Sequence, residues 1–256
     1  MAGKEMNTVN YFKPDLLRII KGYELYLAIL GVTASLFFSM EGWELINQNV
    51  LDTYMKAISA SGIMVAYAFC AFPFAAVFCE ELEHKYIRLA LIRGSFRKYV
   101  LEKTIVIYIT AALAMILGTF LFLMLLRMKG PWTDMGPNLK AFEAGSYGFL
   151  IEEEKYLSFC MVSSVQLGML AGVFSVFASL ISLYIQNKVM VFILPILLYQ
   201  ILMEFDTGTR YGVFAFRIIN NLFGEEWKNT LYLVGISLML TCICAVGIYR
   251  KLRRKM

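Results

Sequence analysis

The chain has a single histidine, His84, in 256 residues. That scarcity excludes most intramembrane catalysis. A zinc protease needs two histidines on one helix face, and a serine protease of the membrane needs a histidine base opposite its serine. Glu80-Glu81 followed by Lys85 faintly matches the paired glutamates of membrane prenyl-endopeptidases. Those enzymes carry arginine where this chain has lysine, and need histidines on other helices. The five cysteines (Cys70, Cys79, Cys160, Cys242 and Cys244) lack metal-ligand spacing with a histidine and read as small apolar residues. No GxxxxGK[ST] occurs, so no nucleotide binds through a P-loop. No small-x-small cleavage site follows Met40, so the first apolar run does not read as a cleaved signal peptide.

Charge is also scarce, at 17% of residues, and it avoids the apolar runs. Gln166 and Gln200 are the main strongly polar side chains inside those runs. Ion-coupled transporters place acids or histidines there, so transport by this chain would draw its energy from elsewhere. No ring-forming filter motif points to a channel.

What the chain has in abundance is apolar sequence: 59% of residues, with a mean hydropathy of +0.65. Five runs approach or reach the roughly 20 residues that cross a bilayer as a helix. They are Tyr23–Met40, Ile58–Phe78, Ile105–Leu126, Leu157–Ile185 and Leu231–Tyr249. A shorter sixth run, Val189–Met203, carries Pro195. None alternates with period two, so helices are expected rather than barrel strands. The expectation is one all-α transmembrane domain over residues 1–256 with six spans.

Lysine and arginine orient it. With both termini in the cytoplasm of a plasma-membrane protein, 16 of the 24 basic residues lie inside, and 12 of the 19 acids lie outside. The basic tail, residues 250–256, is then cytoplasmic. The net charge of +5 faces the membrane and gives no reason to invoke nucleic acid.

Residues 1–22 are expected to form an interfacial helix on membrane lipid. Val9, Phe12, Leu16, Ile19 and Ile20 fall at near-helical spacing, opposite Asn10, Lys13, Arg18 and Lys21. Pro14 suits a first helical turn and Gly22 permits a bend. The loop from Glu41 to Ala57 reads as short and polar. Residues 127–156 make a long outer loop with Glu152, Glu153 and Glu154 at its end. Those acids read as the negative start of the fourth span. Residues 204–230 are too apolar for free solution and too few to span, so a re-entrant outer hairpin is expected.

The segment 80–103, EELEHKYIRLALIRGSFRKYVLEK, is the most distinctive. Leu82, Tyr86, Leu89 and Ile92 share a helical stripe, and Glu81 with Lys85 is a favourable i, i+4 pair. Gly94-Ser95 breaks the helix, and Ser95 can cap the next one. A positive-inside loop accounts for the basic residues. It does not account for Glu80, Glu81 and Glu83 or for the stripe, whereas a docking surface accounts for both.

This pattern resembles the permease subunit of type-2 ABC transporters. The matching features are Glu80-Glu81 after the second span, the helical stretch Tyr86–Ile92, and the turn Gly94-Ser95. They continue with Arg97-Lys98-Tyr99 and with Lys103 at the third span. The layout of the whole chain is similar; the long loop before span four departs from it. The resemblance implies that 80–103 is a cytoplasmic coupling helix seated in a separate ATPase. Docking would fall to Glu80, Glu81, His84, Lys85, Arg88, Ile92, Arg93, Gly94, Ser95 and Lys98, with Gln186, Asn187 and Lys188 as a smaller second contact. It further implies a dimer of ATPase subunits holding ATP and Mg, no catalysis or cofactor in this chain, and a second permease chain, identical or related. The implied function is export of an amphipathic substrate: an antimicrobial peptide, a hydrophobic drug or a lipid-like molecule. A non-transporting sensor or immunity scaffold would use the same docking segment.

Overall fold

The computed structural model describes residues 12–40, 49–83, 95–133, 143, 145–185, 188–205, 216–218 and 223–255. Every regular element among them is a helix. Three helices are long and apolar enough to cross a membrane: α6 (Phe96–Arg127), α8 (Tyr156–Ser182) and α10 (Glu226–Lys255). At 1.5 Å per residue, the 32 residues of α6 extend about 48 Å. That exceeds a hydrocarbon core of about 30 Å, so its charged first turns lie outside the apolar layer.

Two bent pairs bring the number of candidate spans to five. In the first, α1 (Phe12–Lys21) meets α2 (Glu24–Phe38) at 61°, with Gly22 at the break. In the second, α3 (Val50–Ser59) meets α4 (Gly62–Ala71) at 75°. The structure thus carries three to five candidate crossings where the sequence leads one to expect six. The shorter run Val189–Met203 forms α9 (Lys188–Phe205), which holds Pro195 within its 18 residues and falls short of the others in apolar length.

The second expected run is also broken. Its first residues, Ile58 and Ser59, close α3; residues 62–71 form α4; turns follow over 72–76; and α5 (Val77–Glu83) comes next. Pro73 lies in those turns, where a residue without an N–H interrupts the helical ladder. α3 itself corrects the reading of a short polar loop. Asn49 caps it, accepting from the Asp52 N–H at 2.8 Å. Leu51, Met55 and Ile58 then bury one face.

α6 and α8 form the centre. α2 and α4 pack beside α6, α9 sits against α4 and α8, and α10 lies against α8 and α6. Glycine makes the closest approaches. A Cβ at Gly118 of α6 would lie 2.6 Å from Val32 of α2, and one at Gly172 of α8 would lie 2.6 Å from the Tyr108 ring. Small residues at helix crossings are how spans associate without a hydrophobic drive between them. Thr33 reinforces the first crossing by donating to the Gly118 carbonyl at 3.0 Å.

α1 keeps its expected amphipathic form, but its apolar side is shared. Ile19 is buried against the bundle, whereas Leu17 and Ile20 remain exposed. Most of the re-entrant segment, 204–230, lies outside the described residues.

Candidate functional site

The expected docking segment has its roots in α5 and α6. Residues His84, Lys85, Arg88, Ile92, Arg93 and Gly94 lie outside the described residues, as do Gln186 and Asn187. Lys188 opens α9. Glu80, Glu81, Ser95 and Lys98 are described, and they differ in role.

Glu81 points inward. Its carboxylate accepts from Lys103 Nζ at 2.7 Å and from the Tyr99 hydroxyl. Lys103 Nζ also reaches Asp15 of α1 at 3.0 Å. The Lys103 side chain is only 4% exposed, and each carboxylate is 17% exposed. The ammonium lies 5.4 Å from the ring centroids of Phe74 and Tyr99. One cation thus holds two carboxylates from two other helices. A lone ammonium so deeply buried would be strongly disfavoured, so the cluster persists only as a unit.

A second tie lies one residue earlier. Glu102 accepts from the Phe12 backbone N–H at 3.1 Å and pairs with Lys98 at 3.6 Å. Phe12 is half-buried at this joint. Phe12→Asp is expected to place a second carboxylate beside Glu102 and release α1, seen as faster proteolysis of the N-terminus in membranes. Unchanged proteolysis would contradict the joint.

The structure corrects the expected Ser95 cap and adds inward partners for Glu81. The Glu81 carboxylate is engaged inside the bundle by Lys103 and Tyr99. Ser95 occupies the N-cap position of α6 in extended backbone, but its hydroxyl makes no capping bond. Glu80 lines a small groove of about 210 Å³ with Arg18, Glu24 and Pro73.

No family model, curated protein or solved structure matches this chain.

The geometry itself gives the junction its meaning. Residues 84–94 begin three positions after Glu81 and end five positions before Tyr99. Both stems of that segment are pinned to one cluster, and α1 is pinned to it as well. Among the described residues no group of His, Cys, Asp and Glu has the arrangement of a metal site. The cluster joins α1 and α5 to α6, the central helix, through Lys103.

The opposite end of the bundle is tied by hydrogen bonds. The Val50 and Leu51 N–H groups donate to the carbonyls of Pro131 and Trp132 at 2.9 and 3.1 Å. The Ser146 N–H donates to Ile218 O, and Asn229 donates to Ser146 Oγ, both at 3.0 Å. The long 127–156 segment is thus partly a cap built onto α3 and α10. The three glutamates do not start α8. Glu152 ends α7 (Phe149–Glu152), Glu154 holds a left-handed φ of 58°, and α8 starts at Tyr156. Beneath this cap lies a polar seam that the apolar runs hid. Tyr54 donates to Cys160 O at 3.3 Å, the Tyr67 hydroxyl is buried with no hydrogen-bond partner among the described residues, and Arg217 donates to Tyr199 at 3.2 Å. Arg217 lies outside every apolar run, so no periodicity argument reaches it.

Proposed function

We propose that this chain is the membrane-spanning permease subunit of an ATP-driven exporter, powered by a separate ATPase dimer and paired with a second permease chain. The observation that carries the reading is the Lys103 junction. A segment gripped from outside moves a membrane bundle only if its stems are rigidly joined to the spans, and Glu81, Tyr99 and Lys103 provide that joint. Segment 80–103 is then the coupling element, and both termini lie in the cytoplasm of a plasma-membrane protein with six crossings. The sixth is α9, added to the three long helices and the two bent pairs.

The test is reconstitution with an ABC ATPase that co-purifies when this chain is expressed with its genomic neighbours. Amphipathic peptide is expected to stimulate ATP hydrolysis and to move in an ATP-dependent manner. The triple variant Asp15→Asn, Glu81→Gln, Lys103→Met is expected to keep the ATPase bound and lose most of that stimulation. Full stimulation in the triple variant would remove the junction's coupling role. ATPase binding without any substrate movement would favour a sensor or immunity scaffold instead.

A further inference from the structure

At the same end of the bundle, α6 and α10 enclose a groove of about 790 Å³. Four arginines line it: Arg97 from α6, and Arg250, Arg253 and Arg254 from α10. Among the described residues its wall contains no carboxylate. Glu102, the first acid along α6, is turned to Lys98 and to the Phe12 N–H. On α10, Val246, Arg250, Arg253 and Arg254 are spaced at four, seven and eight residues, so they share one face. Lys251 points elsewhere, with its ammonium 3.8 Å from the Tyr184 ring centroid.

Apolar surface continues the groove toward the bilayer. Leu101 and Val246 line it and are 56% and 49% exposed. The Tyr249 hydroxyl lies between the two zones, within hydrogen-bonding reach of Arg97 and Arg253. A free anion would use the arginines and leave Leu101 and Val246 uncovered. A phospholipid uses both, with acyl chains along the apolar wall and phosphate among the guanidinium groups.

We propose that this groove is a specific site for an anionic phospholipid headgroup. The phosphodiester accepts hydrogen bonds from the arginines, which planar guanidinium donors favour over lysine. The bound lipid neutralises four like charges that otherwise repel across the α6–α10 gap. It thereby holds the C-terminal turns of α10 against α6.

The experiment is native mass spectrometry of the full chain in detergent, with phosphatidylglycerol and phosphatidylcholine supplied equally. The wild-type chain is expected to retain phosphatidylglycerol preferentially, by about tenfold. Replacing Arg97, Arg250, Arg253 and Arg254 with glutamine removes that preference, whereas Lys251→Gln, one residue away on the same helix, keeps it. Arg253→Gln alone, a milder change to an exposed side chain, gives an intermediate loss. Equal retention of both lipids by the wild-type chain overturns the site. So does full retention of phosphatidylglycerol by the quadruple variant. Displacement of the lipid by excess inorganic phosphate would make this a site for free anions and overturn the lipid assignment.

Discussion

Lys103→Met destabilises the purified chain by about 3 kcal/mol, because it strands two largely buried carboxylates in the bundle. The physical reason is asymmetry. Removing one member of a buried ion cluster leaves uncompensated charge, whereas removing all members together leaves none. The triple variant Asp15→Asn, Glu81→Gln, Lys103→Met therefore recovers most of the lost stability. Thermal unfolding in detergent reads both effects. An exposed pair would give a single-variant loss of less than about 1 kcal/mol and no recovery. That outcome would mean the cluster is solvated and transmits nothing.

Gly118→Leu has an effect of similar size for a different reason. The α2–α6 crossing leaves no room: a Cβ at position 118 would lie 2.6 Å from Val32 and 3.0 Å from the Ile29 carbonyl oxygen. A leucine there must push the helices apart, at a cost of about 3 kcal/mol. Separation also breaks the Thr33 bond to the Gly118 carbonyl and loosens Phe37 from Phe122, now edge-on at 4.7 Å. Combining Gly118→Ala with Val32→Ala is expected to be tolerated far better, since the second change reopens the space. Size-exclusion profiles and thermal midpoints distinguish the two. A wild-type midpoint for Gly118→Leu would contradict the close crossing.

These two sites show what was legible in the sequence and what was not. The long apolar runs are unmistakable, and α6, α8 and α10 coincide with three of them because an uninterrupted apolar helix has only one stable placement in a bilayer. The bend at Gly22 and the α1 helix were legible from residue type and spacing. The number of crossings was not. Pro73 divides an apolar run without changing its hydropathy, and α3 hides in a stretch whose Asp52 and Lys56 make it look like loop. The Lys103 junction was hidden for a further reason: its partners lie 22 and 88 positions away. Asp15 and Glu81, two of the acids that flank the apolar runs, were the available signal, since acids kept near a membrane end usually have a partner. The sequence also offers Glu81 a nearer partner, Lys85 one turn on, which conceals its inward partners.

The proposal with the widest reach is that segment 80–103 is held by a separate ATPase and passes its motion through Lys103. The most direct measurement is co-purification of the affinity-tagged full chain expressed with its genomic neighbours, for wild type and for Arg88→Glu/Arg93→Glu, with any ATPase retained read out. The account predicts a stable complex with the wild-type chain. It predicts at least about a tenfold loss of ATPase in the charge-reversed variant, equal to roughly 1.4 kcal/mol or more, with an unchanged thermal midpoint. A wild-type chain that retains no ATPase, or a reversed variant that retains it fully, would contradict the account.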